Sequence, residues 1–286
     1  MKKKSGYQRF TRSKTGNFFA FFFLLFAGLF TILPLIYCVC TSFKPLEELL
    51  VFPPKFLVSR PTWSNYLELP TIIASLSVPL SRYIFNSVFV SIITTLLHVV
   101  IACMAAFVIS KGRFKGLGIV FALVQIALLY NTYTLAIPQY ILFSKMNIVD
   151  TYLVYIIPYL PSTLGVFLVK QYMDGSVPDA LIEAAYIDGA GDFRIFWQIV
   201  MPISKPAWMT LILFAFRDLW SMQPQGTIFS EELKMLPNVM TTISAGGIAR
   251  SGSAMAAMVI LMIPPIIVYL TSQSNVMETM SNAGIK

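Results

Sequence analysis

The stretch FFAFFFLLFAGLFTILPLIYCVC, residues 18–40, contains no charged residue and is long enough to cross a lipid bilayer as one helix. A hydrocarbon core about 30 Å thick requires about 20 consecutive apolar residues in an α-helix. Lipid offers no hydrogen-bonding partners, so the backbone of such a stretch must bond within itself. The stretch therefore predicts a membrane helix close to the N-terminus.

Five further apolar stretches follow the first. They extend approximately over residues 84–110, 117–140, 152–169, 207–223 and 254–269. The 286-residue chain is 57% hydrophobic and only 12% charged, whereas roughly a quarter of the residues of a soluble domain are charged. The predicted fold class is all-α, a polytopic membrane protein with six transmembrane helices.

Basic residues cluster where a six-helix topology places the cytoplasm, as is usual for membrane proteins. Six lysines and arginines between Lys2 and Lys14 precede the first stretch, and Lys111, Arg113 and Lys115 follow the second. We therefore expect both termini to be cytoplasmic and the net charge of +8 to reflect topology rather than nucleic-acid binding. A signal peptide also begins with basic residues, but this apolar stretch is long and no small-residue cleavage site follows it.

The predicted organisation is a basic cytoplasmic N-terminus (1–16), a six-helix transmembrane domain (17–274) and a cytoplasmic C-terminal tail (275–286). Cysteines 38, 40 and 103 fall inside or beside predicted spans, which argues against a disulfide framework. No compact cluster of cysteine and histidine suggests a metal site. We expect no cofactor.

The cytoplasmic loop 174–206 has the pattern of a helical hairpin. A helix begins near Pro178, and Gly189, Ala190 and Gly191 then predict a turn. A second helix carries an aromatic face that includes Phe196 and Trp197, which we interpret as packing anchors. From spacing alone, a surface hairpin that closes two spans is the simpler interpretation, and a hairpin whose small-residue side admits a partner is the alternative.

The residue string of this hairpin resembles the EAA loop of ABC-importer permeases, in the spelling of the carbohydrate branch. The resembling residues are Glu183-Ala184-Ala185-Tyr186-Ile187-Asp188-Gly189-Ala190, then Phe196, Ile199, Met201-Pro202 and Pro206. The resemblance continues through Asn86-Ser87, Ile137-Pro138 and residues 147–151. The ending, residues 273–286, is similar to the C-terminal tail of the smaller maltose-type permease.

The resemblance implies a heterodimer with a second permease subunit, two copies of a cytoplasmic ATP-binding subunit, and an extracellular or periplasmic sugar-binding protein. It also implies a carbohydrate substrate and a coupling helix that a groove in the ATPase receives. The implied coupling residues are Glu183, Ala184, Ala185, Asp188, Gly189 and Ala190, and the implied tail contacts are Ser281, Asn282 and Gly284. The chain has no phosphate-binding G-x-x-x-x-G-K-[ST] loop, so we expect a non-catalytic subunit whose partner hydrolyses ATP.

Two polar clusters are candidates for the substrate pathway, because sugars need hydrogen-bonding groups beside aromatic rings. Tyr130, Asn131 and Tyr133 lie in the third stretch, where hydrogen bonds between helices are the alternative interpretation. Arg217, Asp218 and Trp220 lie in the fifth stretch. The alternative for these two charges is an ion pair with another helix or with the partner permease, since neighbours at i and i+1 on a helix do not face each other.

Two other function classes stay open. A proton-coupled secondary carrier would need buried ionisable residues and internal repeats. The chain has a lone His98 in the second stretch and no convincing repeat. A membrane scaffold or sensor without transport is the other class. Reconstitution with an ATPase and a binding protein distinguishes such a protein from a transporter.

Overall fold

A computed structural model describes residues 14–74, 78–130, 132–223 and 226–283, and these ranges contain helices and loops but no β-strand. The α-helices are α1 (Lys14–Ser42), α2 (Leu46–Leu49), α3 (Ser64–Ala74), α4 (Leu80–Lys111), α5 (Leu117–Ala127), α6 (Ala136–Lys145), α7 (Leu153–Ile156), α8 (Thr163–Ser176), α9 (Asp179–Ile187), α10 (Asp192–Ile195), α11 (Met201–Ile203), α12 (Lys205–Trp220), α13 (Leu236–Ser244) and α14 (Ser251–Ala283). Short 3₁₀ segments occur at Thr132–Leu135, Ile157–Tyr159, Glu231–Leu233 and Gly247–Arg250, and Phe196–Val200 is a π-helical turn.

Within the described residues, three helices are long and apolar enough to cross a membrane, and the number rises to five if each of two bent pairs counts as one span. The three are found in α1, α4 and α14. The predicted fourth span is a bent pair, in which α7 and its 3₁₀ extension meet α8 at 40°. The predicted third span is divided between α5, a 3₁₀ turn and α6. The all-α membrane fold is confirmed, and the count of six spans stays a prediction.

The break in the fourth span follows from its prolines. Pro158 lies inside the 3₁₀ turn and Pro161 follows it, and proline supplies no N–H for a helical hydrogen bond. Ser162 then begins α8 as an N-cap, because its hydroxyl accepts a hydrogen bond from the Gly165 N–H at 3.0 Å. The chain therefore changes direction between residues 157 and 163.

Helix α4 lies at the centre of the fold and contributes to all three hydrophobic clusters of the described residues. Its Tyr83, Val90 and Cys103 belong to three different clusters, spaced from one end of the helix to the other. Small residues on neighbouring helices allow close packing. A side chain at Gly165 of α8, for example, would place its Cβ 3.2 Å from the Nε2 atom of His98.

The buried residues of helix α1 lie near its C-terminal end. Most of its apolar side chains are exposed in the isolated chain, while Cys38, Thr41 and Ser42 are buried. Asn65 of α3 fixes this end, because its amide donates hydrogen bonds of 2.8 Å to the Ser42 and Lys44 carbonyls. The three cysteines are free thiols.

Candidate coupling hairpin and transport pathway

The turn of the hairpin is closed by a Schellman motif at the end of α9. Gly189 adopts a φ of +77°, its N–H bonds to the Tyr186 carbonyl, and the Ala190 N–H bonds to the Ala185 carbonyl, both at 3.0 Å. The Tyr186 hydroxyl also donates a 2.5 Å hydrogen bond to Asp192 at the start of α10. The two arms of the hairpin are therefore held in a fixed relation by the turn that the glycines predicted.

The hairpin has one face packed on the bundle and one face exposed. Ile182, Ala185 and Phe196 are buried, and the Phe196 ring lies 5.7 Å from that of Phe107 in α4. Ile187 is 86% exposed and Phe193 is 70% exposed. Phe196 is thus a packing residue, whereas Trp197 is 40% exposed. An exposed face with this much apolar surface is a feature of interaction sites.

The six predicted coupling residues are divided between these two faces. Glu183, Ala184, Asp188 and Gly189 are exposed, and Ala190 is half-buried. Ala185 is buried, so its side chain packs inward against the bundle.

Two basic residues that the sequence indicated only as markers of topology tie the hairpin to the end of α4. The Lys111 ammonium lies 2.7 Å from the Asp179 carboxylate and 2.7 Å from the Val177 carbonyl. Arg113, just beyond α4, pairs with Glu183 at 2.8 Å. The hydrogen bond and charge of Lys111 lower the pKa of the Asp179 carboxyl below its usual value. These partners lie 68 and 70 residues apart in the chain, so no local pattern indicates them.

Arg217 and Asp218 form an ion pair with each other near the end of α12. The Arg217 Nη2 and Nε atoms lie 2.8 and 3.1 Å from Oδ1 of Asp218. Our expectation that adjacent residues on a helix do not face each other was wrong here, because the long arginine side chain folds back at the last turn. Tyr159, which sequence reasoning also missed, lies close enough to Asp218 for the two side chains to interact electrostatically.

A cavity of about 410 Å³ lies beside Arg217, between α12 and α14. Its lining residues are Leu213, Phe214, Phe216, Arg217, Pro265, Ile266, Tyr269 and Val276. Trp220 does not line it. Trp220 is only 5% exposed and packs in the core between α12 and α14.

The other predicted polar cluster is described only in part. Tyr130 is 65% exposed, at the C-terminal side of α5. Asn131 lies outside the described residues, as does Gly284 of the tail. Tyr133 lies in the 3₁₀ turn Thr132–Leu135, but its side chain is not among those described, and the same holds for Ser281 and Asn282 at the end of α14.

The end of α4 opposite the hairpin is tied to the segment that precedes α13. The buried Asn86 donates from Nδ2 to the carbonyls of Glu232 and Lys234, at 2.8 and 2.9 Å. The Ser87 hydroxyl accepts from the Leu236 N–H at 2.8 Å. In the sequence, Asn86 and Ser87 were identified only as part of the family resemblance. In the structure, both residues hold the backbone of the segment before α13.

Asp150 fixes the preceding part of the same segment. Its Oδ1 atom accepts hydrogen bonds of 2.9 Å from the N–H groups of Phe229 and Ser230, and Oδ2 accepts from the Ser230 hydroxyl. The hydrogen bond from the Ser230 hydroxyl has the largest effect on the pKa of the Asp150 carboxyl, and the bond from the Ser230 N–H follows. Both lower that pKa below its usual value.

The overall architecture matches a membrane subunit of known structure. A chain in a bacterial ABC transporter involved in the import of the acidic polysaccharide alginate superposes with a TM-score of 0.76 at 20% sequence identity, covering 92% of this chain and 98% of that one. The likeness shows that this chain has the fold of an ABC-importer membrane subunit.

Comparisons of sequence extend this result. The chain is 25% identical to the inner membrane ABC transporter permease protein YcjP of Escherichia coli K12, covering 90% of this chain and 91% of that one. It is 25% identical to the arabinooligosaccharides transport system permease protein AraQ of Bacillus subtilis 168, covering 92% and 94%. It is 28% identical to the sn-glycerol-3-phosphate transport system permease protein UgpE of Yersinia enterocolitica, covering 80% and 83%. No family model matches the chain.

The resemblance identified from the sequence is therefore confirmed. Over most of its length the chain is similar to membrane permease proteins of ABC transporters. These likenesses and the long apolar helices indicate a multi-pass protein of the cytoplasmic membrane, and the relatives' names agree with the expected role of a non-catalytic permease subunit.

Proposed function

We propose that this chain is one of two permease subunits of a binding-protein-dependent importer that translocates a sugar or oligosaccharide by alternating access. The observation that carries the proposal is the hairpin, whose exposed apolar face has a shape fixed by Gly189 and by packing on α4. The relatives named for arabinooligosaccharides and the alginate importer support a carbohydrate. The relative named for sn-glycerol-3-phosphate makes a small phosphorylated polyol the competing substrate.

The hairpin is the ATPase-docking element of this proposal. Ile187 and Phe193 offer apolar surface to a groove, with Asp188 and the Arg113–Glu183 pair beside it. Closure of the ATPase pair on ATP would move the docked hairpin as a rigid body, and the attached helices would then alternate between inward-open and outward-open arrangements. In this orientation the hairpin and both termini are cytoplasmic.

The tail is a second contact with the ATPase pair. Helix α14 continues to Ala283, and its 14 residues beyond the predicted end of the last span add roughly 20 Å at the rise of an α-helix. That length carries Ser281 and Asn282 well beyond the membrane core. The last residues, with Gly284, would then approach the ATPase interface.

The substrate pathway includes the Arg217–Asp218 pair, with Tyr159 beside it. An isolated charge in a membrane is costly, and here the two charges neutralise each other while the arginine keeps unused donors. The pair is exposed in the isolated chain, with side-chain exposures of 66% and 46%. A neutral group with free hydrogen-bonding capacity suits sugar hydroxyls. Tyr130, Asn131 and Tyr133 are the second part of the proposed pathway.

Reconstitution provides the test. The chain is co-expressed with its second permease and ATPase, placed in liposomes with the binding protein, and screened with sugars, oligosaccharides and glycerol phosphate. We expect a carbohydrate to stimulate ATP hydrolysis and to accumulate inside. Uptake driven by a proton gradient without ATP would instead indicate a secondary carrier, and stimulation by glycerol phosphate alone would reassign the substrate.

A further inference from the structure

Helix α4 is continuous from one end of the bundle to the other. Among the three long apolar helices of the described residues, α1 contains Pro34 and α14 contains Pro264 and Pro265, while α4 contains no proline. Sharp helix kinks occur mostly at proline or at local breaks in the hydrogen-bond ladder. The 32 residues of α4 form a rod about 48 Å long at 1.5 Å per residue. This rod has no hinge of its own.

The hairpin end of α4 is fixed by a nearly buried charge. The Lys111 side chain is only 8% exposed, and its ammonium contacts both Asp179 and the carbonyl of Val177. A buried ammonium with two oxygen partners is costly to separate from them. The nearby Arg113–Glu183 pair is exposed and contributes little by comparison. Lys111 therefore holds the junction of α8 and α9 on the end of α4.

The opposite end of α4 is fixed by three side chains, which we call the loop clamp: Tyr83, Asn86 and Ser87. The Tyr83 hydroxyl donates to Glu231 at 2.7 Å, and Asn86 and Ser87 hold backbone groups between residues 232 and 236. The Tyr152 hydroxyl donates to Oδ1 of Asn86 at 2.7 Å, so the amide uses its donors and its acceptor. Buried amides with satisfied hydrogen bonds resist displacement.

We propose that α4 is a rigid strut that displaces segment 231–236 when the ATPase moves the hairpin, with Lys111 and the loop clamp as the positioning residues at its two ends. The inference rests on the proposed function, since it takes the hairpin as the docking element. A stiff rod with both attachments held by buried hydrogen bonds transmits displacement through a contiguous physical network. The nucleotide state of the ATPase on one side of the membrane thereby sets the position of this segment on the other side.

The test uses the complete reconstituted complex. Cysteines 38, 40 and 103 are replaced by alanine, and spin labels are placed at Phe229, beside the segment, and at Ile248, before α14. Both sites are more than half exposed, at 62% and 66%. The distance between the labels is measured by pulsed electron paramagnetic resonance, without nucleotide and with a non-hydrolysable ATP analogue. We expect the distance to change with the analogue.

Lys111→Met removes the charge at the hairpin end, and Lys115→Met is its matched control. Lys115 is exposed, and no ion pair of the described residues involves it. We expect Lys111→Met to lose the distance change and to lower uptake per ATP hydrolysed by roughly 2- to 30-fold. Lys115→Met should retain both. At the other end, Tyr83→Phe should reduce the distance change while leaving the membrane fold intact, and Tyr140→Phe is the control.

The outcomes separate the strut from the function on which it rests. A wild-type complex without ATP-driven uptake contradicts the proposed function. A wild-type complex that transports but shows no distance change overturns the strut. The strut is equally overturned if Lys111→Met transports normally and keeps the full distance change.

Discussion

The indole N–H of Trp220 in α12 donates a 2.9 Å hydrogen bond to the carbonyl of Leu261 in α14. In a regular helix that carbonyl would accept from the N–H four residues later, but position 265 is a proline and has no N–H. Trp220 therefore satisfies a backbone acceptor that the proline leaves free. The indole also stacks on Phe216 of the same helix, with ring centroids 5.6 Å apart.

We accordingly expect Trp220→Phe to destabilise the α12–α14 contact rather than to change sugar recognition. Leaving a buried acceptor without its partner costs about 1–3 kcal/mol. Thermal unfolding in detergent should therefore occur at a lower temperature than in wild type. Trp63→Phe is the control, because Trp63 is 65% exposed. If Trp220→Phe unfolds normally and only uptake falls, Trp220 belongs to the substrate pathway as the sequence suggested.

Gly189→Ala should distort the hairpin turn. Gly189 has a φ of +77°, and a Cβ added there would meet no other atom within 4 Å, so backbone conformation alone opposes the substitution. A residue with a Cβ in the left-handed region costs about 1–2 kcal/mol, and the affinity for the ATPase should fall by roughly 5- to 30-fold if docking bears the whole strain.

Gly191→Ala supplies a matched control for this variant. Gly191 also has open space around it, but its φ of −79° suits any residue. The amount of ATPase that each variant retains is measured by pull-down from membranes prepared in the same way. Equal binding by the two would show that the turn geometry does not govern docking.

Asp150 gives the segment 226–236 a pH-dependent attachment. Its folded-state pKa is lowered by the hydrogen bonds from Ser230 and Phe229. The stabilisation is therefore present above the unfolded pKa of about 3.9, and it is lost as pH falls through the lower, folded-state value. The protection of segment 226–236 against hydrogen exchange, relative to the intrinsic rate at each pH, should fall in that acidic range and stay high at neutral pH.

Asp150→Asn tests this attachment with little change of backbone preference. Asp150 has a φ of +60°, which asparagine also tolerates. The variant should show faster exchange of the segment at neutral pH and a weaker response below pH about 4. Glu68→Gln in α3 is a control carboxylate that is exposed. An exchange profile identical to wild type would exclude Asp150 as the fastening residue.

The sequence predicted local structure well wherever one physical signal was sufficient. The second apolar stretch, 84–110, corresponds to α4 at Leu80–Lys111, because a long run without proline or charge has few alternatives in lipid. The hairpin turn at Gly189 was equally predictable from its glycines. The third stretch is broken near Tyr130, where polar residues interrupt the apolar run, and hydropathy averaged over the stretch hid that break.

The contacts that fix the ends of α4 could not be predicted in this way. Lys111 and Asp179 are 68 residues apart, and Asn86 and Lys234 are 148 residues apart. Only the packing of α4 between distant parts of the chain brings these groups together. The ion pair between Arg217 and Asp218 was not predicted for another reason. Helix periodicity gives the direction in which a side chain leaves the backbone, but it does not give the position of the guanidinium group at the end of a long, flexible side chain.

The last prediction concerns Tyr159 and Asp218, which approach each other where the bend of the fourth predicted span meets the end of α12. If Asp218 binds sugar hydroxyls with Tyr159 orienting it, Tyr159→Phe and Asp218→Asn should each lower uptake while the complex still assembles. The double variant should take up little less sugar than the more impaired single variant, because either change alone already disrupts the placement of the Asp218 carboxylate by Tyr159. Such non-additivity is expected at about 0.5–3 kcal/mol for residues in contact.

Tyr269→Phe, which alters a hydroxyl that lines the cavity beside Arg217, is the control. Uptake at varied sugar concentration and complex yield are measured for all four variants. Additive losses would show that Tyr159 and Asp218 act independently, and loss of assembly in the single variants would assign the pair to the structure of the bundle instead of the pathway.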